Sequence, residues 1–137
     1  ANVANRWLSM SGARTRILGT QLYKYNIKGF LHWGYNFYNN QFSYDAINPY
    51  TEVAGDYFAP AGDMFLVYPG PDGKPYPTIR LHYMRDAVQD YKALKLCEEL
   101  YGFDFVNSII QESIDYTLTF VDFPLESDYI HNLRNQQ

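Results

Sequence analysis

From Ala13 to Asn26 the apolar positions Ile17, Leu18, Leu22 and Tyr25 recur at steps of three and four, which predicts an amphipathic helix. Gly19 is its weak point, and Asn26 is placed to close it. Residues 28–37 read KGFLHWGYNF, a short apolar and aromatic run between Gly and Asn that predicts a buried strand. Phe30, His32, Gly34 and Asn36 then face one way, and Leu31, Trp33, Tyr35 and Phe37 the other. Residues 38–62 show no period and predict an ordered loop, because their Phe and Tyr content needs something to pack on. A second apolar run, Asp63 to Tyr68, ends at Pro69 and Gly70, and PGPDGKPYP predicts a turn-rich connection.

Helices dominate the rest. Thr78 is a good N-cap. Behind it Leu81, Met84, Val88, Tyr91, Leu94 and Glu98 trace one face of a helix that ends near Tyr101, with Gly102 as its cap. Asp104 can start a further helix carrying Val106, Ile109, Ile110 and Ile114. Pro124 breaks the chain, and a last helix carries Leu125, Tyr129, Ile130 and Leu133. Two short runs that look buried on both faces do not make a self-sufficient sheet. The pattern predicts that neighbouring strands lie elsewhere, and that this is the C-terminal part of a larger α/β protein. The first residue, Ala1, fits that expectation.

Composition narrows the function classes. The chain has 137 residues, of which 47% are hydrophobic and 19% charged, which excludes a chain disordered by high charge. The net charge of −4 argues against nucleic acid as a partner. No apolar run approaches the roughly 20 residues of a membrane helix. One cysteine, Cys97, excludes an internal disulfide, and three scattered histidines do not suggest a metal site. No cofactor is expected. The single cysteine and the lack of a signal segment favour a cytoplasmic location. Aromatic residues reach 18%, with 14 Tyr, and aromatic faces with a polar handle suit carbohydrate as well as a Tyr-rich core.

Three ordered blocks, GFLHWGYN at Gly29–Asn36, GDMFLVYPG at Gly62–Gly70 and PTIRLHYMRDAVQDYKALK at Pro77–Lys95, resemble the C-terminal region of the glycoside hydrolase family 123 type catalytic domain. His82, Ala87 and Gln89 depart from the family pattern of Glu, Gly and Glu. The resemblance implies the C-terminal part of a (β/α)8 TIM-type barrel, with its last two strands parallel at Gly29–Trp33 and Asp63–Tyr68, and extra C-terminal helices. Residues 1–102 would be the barrel part and residues 103–137 a helical extension packed on it. A full barrel needs about 250 residues.

The family chemistry that this implies is substrate-assisted hydrolysis of terminal β-N-acetylhexosaminides by an adjacent Asp-Glu pair. This chain contains no Asp-Glu dipeptide. The pair is expected upstream, in the missing N-terminal part that would be this piece's partner, and the chain alone is expected to be inactive. Its expected contribution is one wall of a sugar-binding cleft at the strand ends. The candidate contacts are Trp33, whose indole can stack on a sugar; Tyr35, Asn36 and Tyr68, which can bond to hydroxyls; and, with structural roles as the stronger rivals, His32 and Arg80. Arg80 is also a candidate to join Asp86 and Asp90 in a buried charge network. The alternative is a non-catalytic carbohydrate-binding or structural C-terminal domain.

Overall fold

The computed structural model describes residues 3–136; Ala1, Asn2 and Gln137 lie outside the described residues. Helices α1 (Gly12–Arg16) and α2 (Leu18–Lys24) occupy the segment predicted as one helix. Ser11 caps α1, its side chain accepting from the Arg14 N–H, and the axis breaks at Ile17. Asn26 closes α2 as predicted: its φ is 53°, and the bonds Asn26 N–H to Tyr23 O (3.0 Å) and Ile27 N–H to Leu22 O (2.9 Å) satisfy the last carbonyls.

The two apolar runs do not form neighbouring parallel strands. Lys28–Trp33 belongs to no strand, and Phe30 and Leu31 are exposed, Leu31 at 88%. Pairing begins only beyond it, where Asn36 bridges Phe65 in antiparallel sense. Phe37 N–H donates to Met64 O (3.1 Å) and Leu66 N–H to Tyr35 O (2.8 Å). The sheet among the described residues is a two-stranded antiparallel hairpin, β1 (Val67–Pro69) with β2 (Pro75–Pro77), in register Tyr68 to Tyr76. The parallel expectation fails because Met64–Leu66 pairs in antiparallel sense with Tyr35–Phe37, and Val67 pairs with Pro77 across the following turn. Thr78 then bonds back to Leu66 O through both its N–H (3.0 Å) and its hydroxyl (2.7 Å). The observed architecture is mixed helix with one small sheet.

Residues 38–62 form an ordered loop, as predicted. A small turn is held by Ile47 N–H to Tyr38 O and Asn40 N–H to Asp45 O, both 2.9 Å, although Phe42, Tyr44 and Tyr57 are exposed.

Helix α3 (Ile79–Tyr101) keeps the predicted bounds and caps: the Thr78 side chain accepts from Leu81 N–H, and Gly102 has φ 86°. Its buried face is Arg80, Ala87, Asp90, Leu94 and Cys97; Leu94 is shared with the predicted stripe, the others lie one position from it, and Val88 is half exposed. The shift follows from burying two charged residues that find partners. Helix α4 (Phe103–Gln111) is capped at Gly102, not Asp104, and α5 (Ser127–Gln136) completes the chain. Ile17 at the α1–α2 junction, Tyr23, Leu94, Val106, Ile110, Leu118 and Leu133 belong to one core drawn from α2, α3, α4, α5 and the 112–126 loop. Cys97 lies in it as the small buried hydrophobe expected.

Gly19 sets how close α2 and α3 approach. A Cβ built on it would lie 1.9 Å from the Ala87 carbonyl oxygen, a backbone atom that no rotamer change can move. Gly19→Ala is expected to destabilise by about 1–3 kcal/mol, more than the gain of up to about 1 kcal/mol in helix propensity. Urea unfolding checks this; a stabilised variant would mean that the two helices are free to part.

Candidate functional site

The sequence elements around Asp63 build a buried polar cluster. Asp63 is buried at the head of the run Met64–Val67, whose side chains are 0–6% exposed. Its carboxylate accepts three charge-assisted bonds from aromatic N–H groups. Trp7 Nε1 (3.0 Å) and His32 Nε2 (3.0 Å) donate to Oδ1, and Trp33 Nε1 (2.8 Å) donates to Oδ2. Burial pushes the Asp63 carboxyl up, but the bonds from His32, Trp33 and Trp7 outweigh it, and the group sits below the usual carboxylate range.

His32 is held at both nitrogens. Arg6 Nη2 donates to its Nδ1 at 2.6 Å and the Gly34 N–H donates to the same atom at 3.2 Å, so the ring proton belongs on Nε2, facing Asp63. Arg6 also donates to the Asp63 carbonyl (3.3 Å). Arg80 donates through Nη1 to the carbonyls of Arg6 (3.0 Å) and Gly62. Both guanidiniums are buried. Burial lowers the Arg6 pKa to about 10, with Asp63 opposing the shift and Arg80 adding to it; burial likewise lowers that of Arg80.

Around this cluster lie two aromatic groups. Trp33 is half exposed, runs nearly parallel to the His32 ring (6.1 Å), and meets the rings of Phe37 and Phe58, each at 5.6 Å. Tyr68 packs instead with Tyr50 (4.9 Å) and Phe65 (5.0 Å). Among the described residues no ring contact joins the two groups. Tyr35 and Asn36 are exposed beside Trp33 in sequence, and Asn36 is the residue that bridges Phe65.

The structure thus brings His32 and Trp33 together on Asp63, and puts Tyr35 and Asn36 on the adjoining surface. It places Tyr68 on the other aromatic group, and Arg80 beneath as a clamp on backbone carbonyls. Arg80 does not join Asp86 and Asp90: Asp86 pairs with Arg85 at the surface (3.1 Å), and Asp90 is held by Arg16 and Arg134. From the first turn of α3 the Arg80 side chain lies against the loop carbonyls of Arg6 and Gly62, which take its Nη1 donors in place of a carboxylate. Gly34 is buried and spaced for the chain itself, since a Cβ there would lie 2.8 Å from Met64 O.

Sequence reasoning missed Arg6, Trp7 and Asp63. Arg6 and Trp7 sit in a stretch without period, and their partners are 26 to 57 residues away. One signal was available: an ionisable residue directly heading a fully apolar run, which cannot be buried without donors. Among the described residues no group of three or more His, Cys, Asp or Glu is placed to hold a metal ion. No helix among them is long and apolar enough to cross a membrane.

A family model described as Glycoside hydrolase 123, catalytic domain, matches residues 1–97. No curated protein matches the chain.

Proposed function

The chain belongs to the glycoside hydrolase 123 catalytic-domain family, and from that premise we propose that it supplies one wall of a sugar-binding cleft in a longer glycosidase. The observation that carries this reading is the state of Trp33. Its indole is 49% exposed, yet its Nε1–H is tied to a buried carboxylate oxygen at 2.8 Å. A large flat ring held at its edge and open to solvent is a stacking platform whose orientation is already fixed, so little ordering remains to oppose binding. Tyr35 and Asn36, exposed next to it, add a hydroxyl and an amide for ring hydroxyls or an acetamido group.

Hydrolysis needs a proton donor with a raised pKa. Asp63 is the opposite, a carboxyl held ionised by its donors, and so serves as an anchor and not as an acid. The family's substrate-assisted chemistry on β-N-acetylhexosaminides therefore calls for an Asp-Glu pair that this chain lacks. In this reading the pair is supplied upstream, and the helices that follow α3 buttress the wall from outside. The lack of an acidic pair equally favours a second reading, a carbohydrate-binding or structural domain without catalysis.

Trp33→Ala is expected to weaken binding of N-acetylhexosamines by about 1–3 kcal/mol, the scale of stacking on an aromatic face. Titration calorimetry on the complete protein, with thermal melts beside it, reads both effects. Unchanged sugar affinity in a folded variant would remove Trp33 from the cleft. A complete protein that binds the sugar but does not cleave aryl N-acetyl-β-hexosaminides would favour the second reading.

A further inference from the structure

The Trp33 indole is aimed by one polar bond. Phe37 and Phe58 meet its ring at 5.6 Å each through apolar contact. The direction of the indole edge is set where Nε1–H reaches Asp63 Oδ2 at 2.8 Å. That direction holds only while the carboxylate keeps its own orientation. Two ring donors fix it from the other oxygen, Trp7 Nε1 and His32 Nε2, both at 3.0 Å. They are not equivalent. An indole nitrogen can only donate, whereas an imidazole nitrogen presents either a proton or a lone pair. A lone pair turned on Oδ1 would repel the carboxylate that the proton holds.

Arg6 decides which of the two Asp63 meets. Its Nη2 donates to His32 Nδ1 at 2.6 Å, and the Gly34 N–H reaches the same atom at 3.2 Å. Two donors on Nδ1 keep that atom bare and put the ring proton on Nε2, facing Asp63. Nδ1 also lies 3.2 Å from the Gly34 carbonyl oxygen. Without Arg6 a proton on Nδ1 has that oxygen to bond to, and Nε2 is free to turn its lone pair on Asp63. Water has little access to make up the difference: the His32 and Asp63 side chains are 15% and 10% exposed, and Arg6 is 4% exposed. Arg6 is held in turn, since its Nη2 also reaches the Asp63 carbonyl and its own carbonyl accepts from Arg80 Nη1.

We propose that Arg6 and His32 are positioning residues for the Trp33 face. Arg6 keeps the proton off His32 Nδ1, the His32 Nε2–H pins the Asp63 carboxylate, and the carboxylate aims the indole. The relay is a property of the fold; its use in presenting a ready-made face to a sugar rests on the reading of Trp33 given above. A ring held in this way loses little freedom on binding, whereas ordering a free side chain costs about two- to tenfold in affinity.

The test combines nitrogen NMR spectra of the isotope-labelled complete protein with calorimetric titration of N-acetylgalactosamine. The parent spectrum needs no variant to fold: His32 is expected to show a bare Nδ1 and a protonated Nε2. Arg6→Met is expected to bring a proton onto Nδ1. His32→Ala is expected to shift the Trp33 Nε1–H signal, to speed its exchange with solvent, and to weaken sugar binding about two- to tenfold. His32→Gln, whose amide offers an oxygen to Arg6 and an N–H to Asp63, is expected to restore both. Gly19→Ala, which costs stability at the α2–α3 contact, is expected to move neither. In a Trp33→Phe background, where the ring has no N–H to aim, His32→Ala is expected to leave sugar affinity unchanged. A protonated Nδ1 in the parent, an Nδ1 that stays bare in Arg6→Met, or a Trp33 signal that His32→Ala leaves in place overturns the proposal. So does a signal that Gly19→Ala moves as far, or sugar binding that His32→Ala weakens equally with Phe at position 33. If the parent does not bind the sugar while the Trp33 signal responds as expected, the relay stands and the sugar-cleft reading falls.

Discussion

Asp63→Ala is expected to lower folding stability by about 3–5 kcal/mol, the scale seen when one partner of a buried charge pair is removed. The carboxylate does two things at once. It is the acceptor for Trp7, His32 and Trp33, which approach from two separate stretches of chain, and it is the one negative charge facing Arg6 and Arg80. Removing it strands three donors and leaves two buried cations facing each other. Asp63→Asn keeps an acceptor but not the charge, and is expected to fall between alanine and the parent. Acid should reproduce part of the loss. The Asp63 pKa is lowered on folding from its ordinary 3.8, so the unfolded chain takes up the proton first. Its stabilisation is complete above that value and disappears as pH falls through the lower folded value. Urea unfolding between pH 7 and pH 3 tests this. If Asp63→Asn loses stability with acid as steeply as the parent, the dependence belongs to other carboxylates.

What could be read from the sequence follows the range of the interactions. The ends of α3 were legible because each depends on neighbours within four residues: a Thr hydroxyl reaching Leu81 N–H, and a glycine free to take φ 86°. Asn26 was legible for the same reason. The split of the first helix at Ile17 was not, because the periodicity of its apolar residues runs through the break. The antiparallel hairpin was hidden by its own composition, since β2 is Pro-Tyr-Pro and proline ordinarily argues against a strand. At the candidate site His32 and Trp33 were singled out by residue type. Their anchor was not, because Asp63 acquires its role only when residues 6, 7, 32 and 33 are brought to it. The one-residue shift of the α3 face has a similar origin: a rule that puts charges outside cannot foresee Arg80 and Asp90 facing inward with partners in place.

Asp90→Ala is expected to cost about 3–5 kcal/mol as well, for a different reason. Asp90 is 3% exposed at the middle of α3 and fastens two other helices to it. Arg16, at the end of α1, forms a fork with Nε to Oδ2 (2.6 Å) and Nη2 to Oδ1 (2.8 Å), while Arg134 of α5 reaches Oδ1 at 3.0 Å. The two arginines are not equal. The Arg16 side chain is 18% exposed and its bond to Asp90 is what raises its pKa most, whereas the Arg134 side chain is 45% exposed and well screened. Arg134→Ala is therefore expected to cost only about 0.2–1 kcal/mol, the range of surface pairs. Arg16→Ala is expected to cost clearly more, since it leaves a buried carboxylate with one exposed partner. A double-mutant cycle over Asp90 and Arg16, read by urea unfolding at low and high salt, isolates the fork. Its coupling should survive salt that erases the Arg134 contribution, because burial shields the fork from counterions. Equal costs for the two arginines, or a coupling that salt removes, would place the hold of α3 on its neighbours in the apolar core that includes Ile17 and Leu94, and not in this carboxylate.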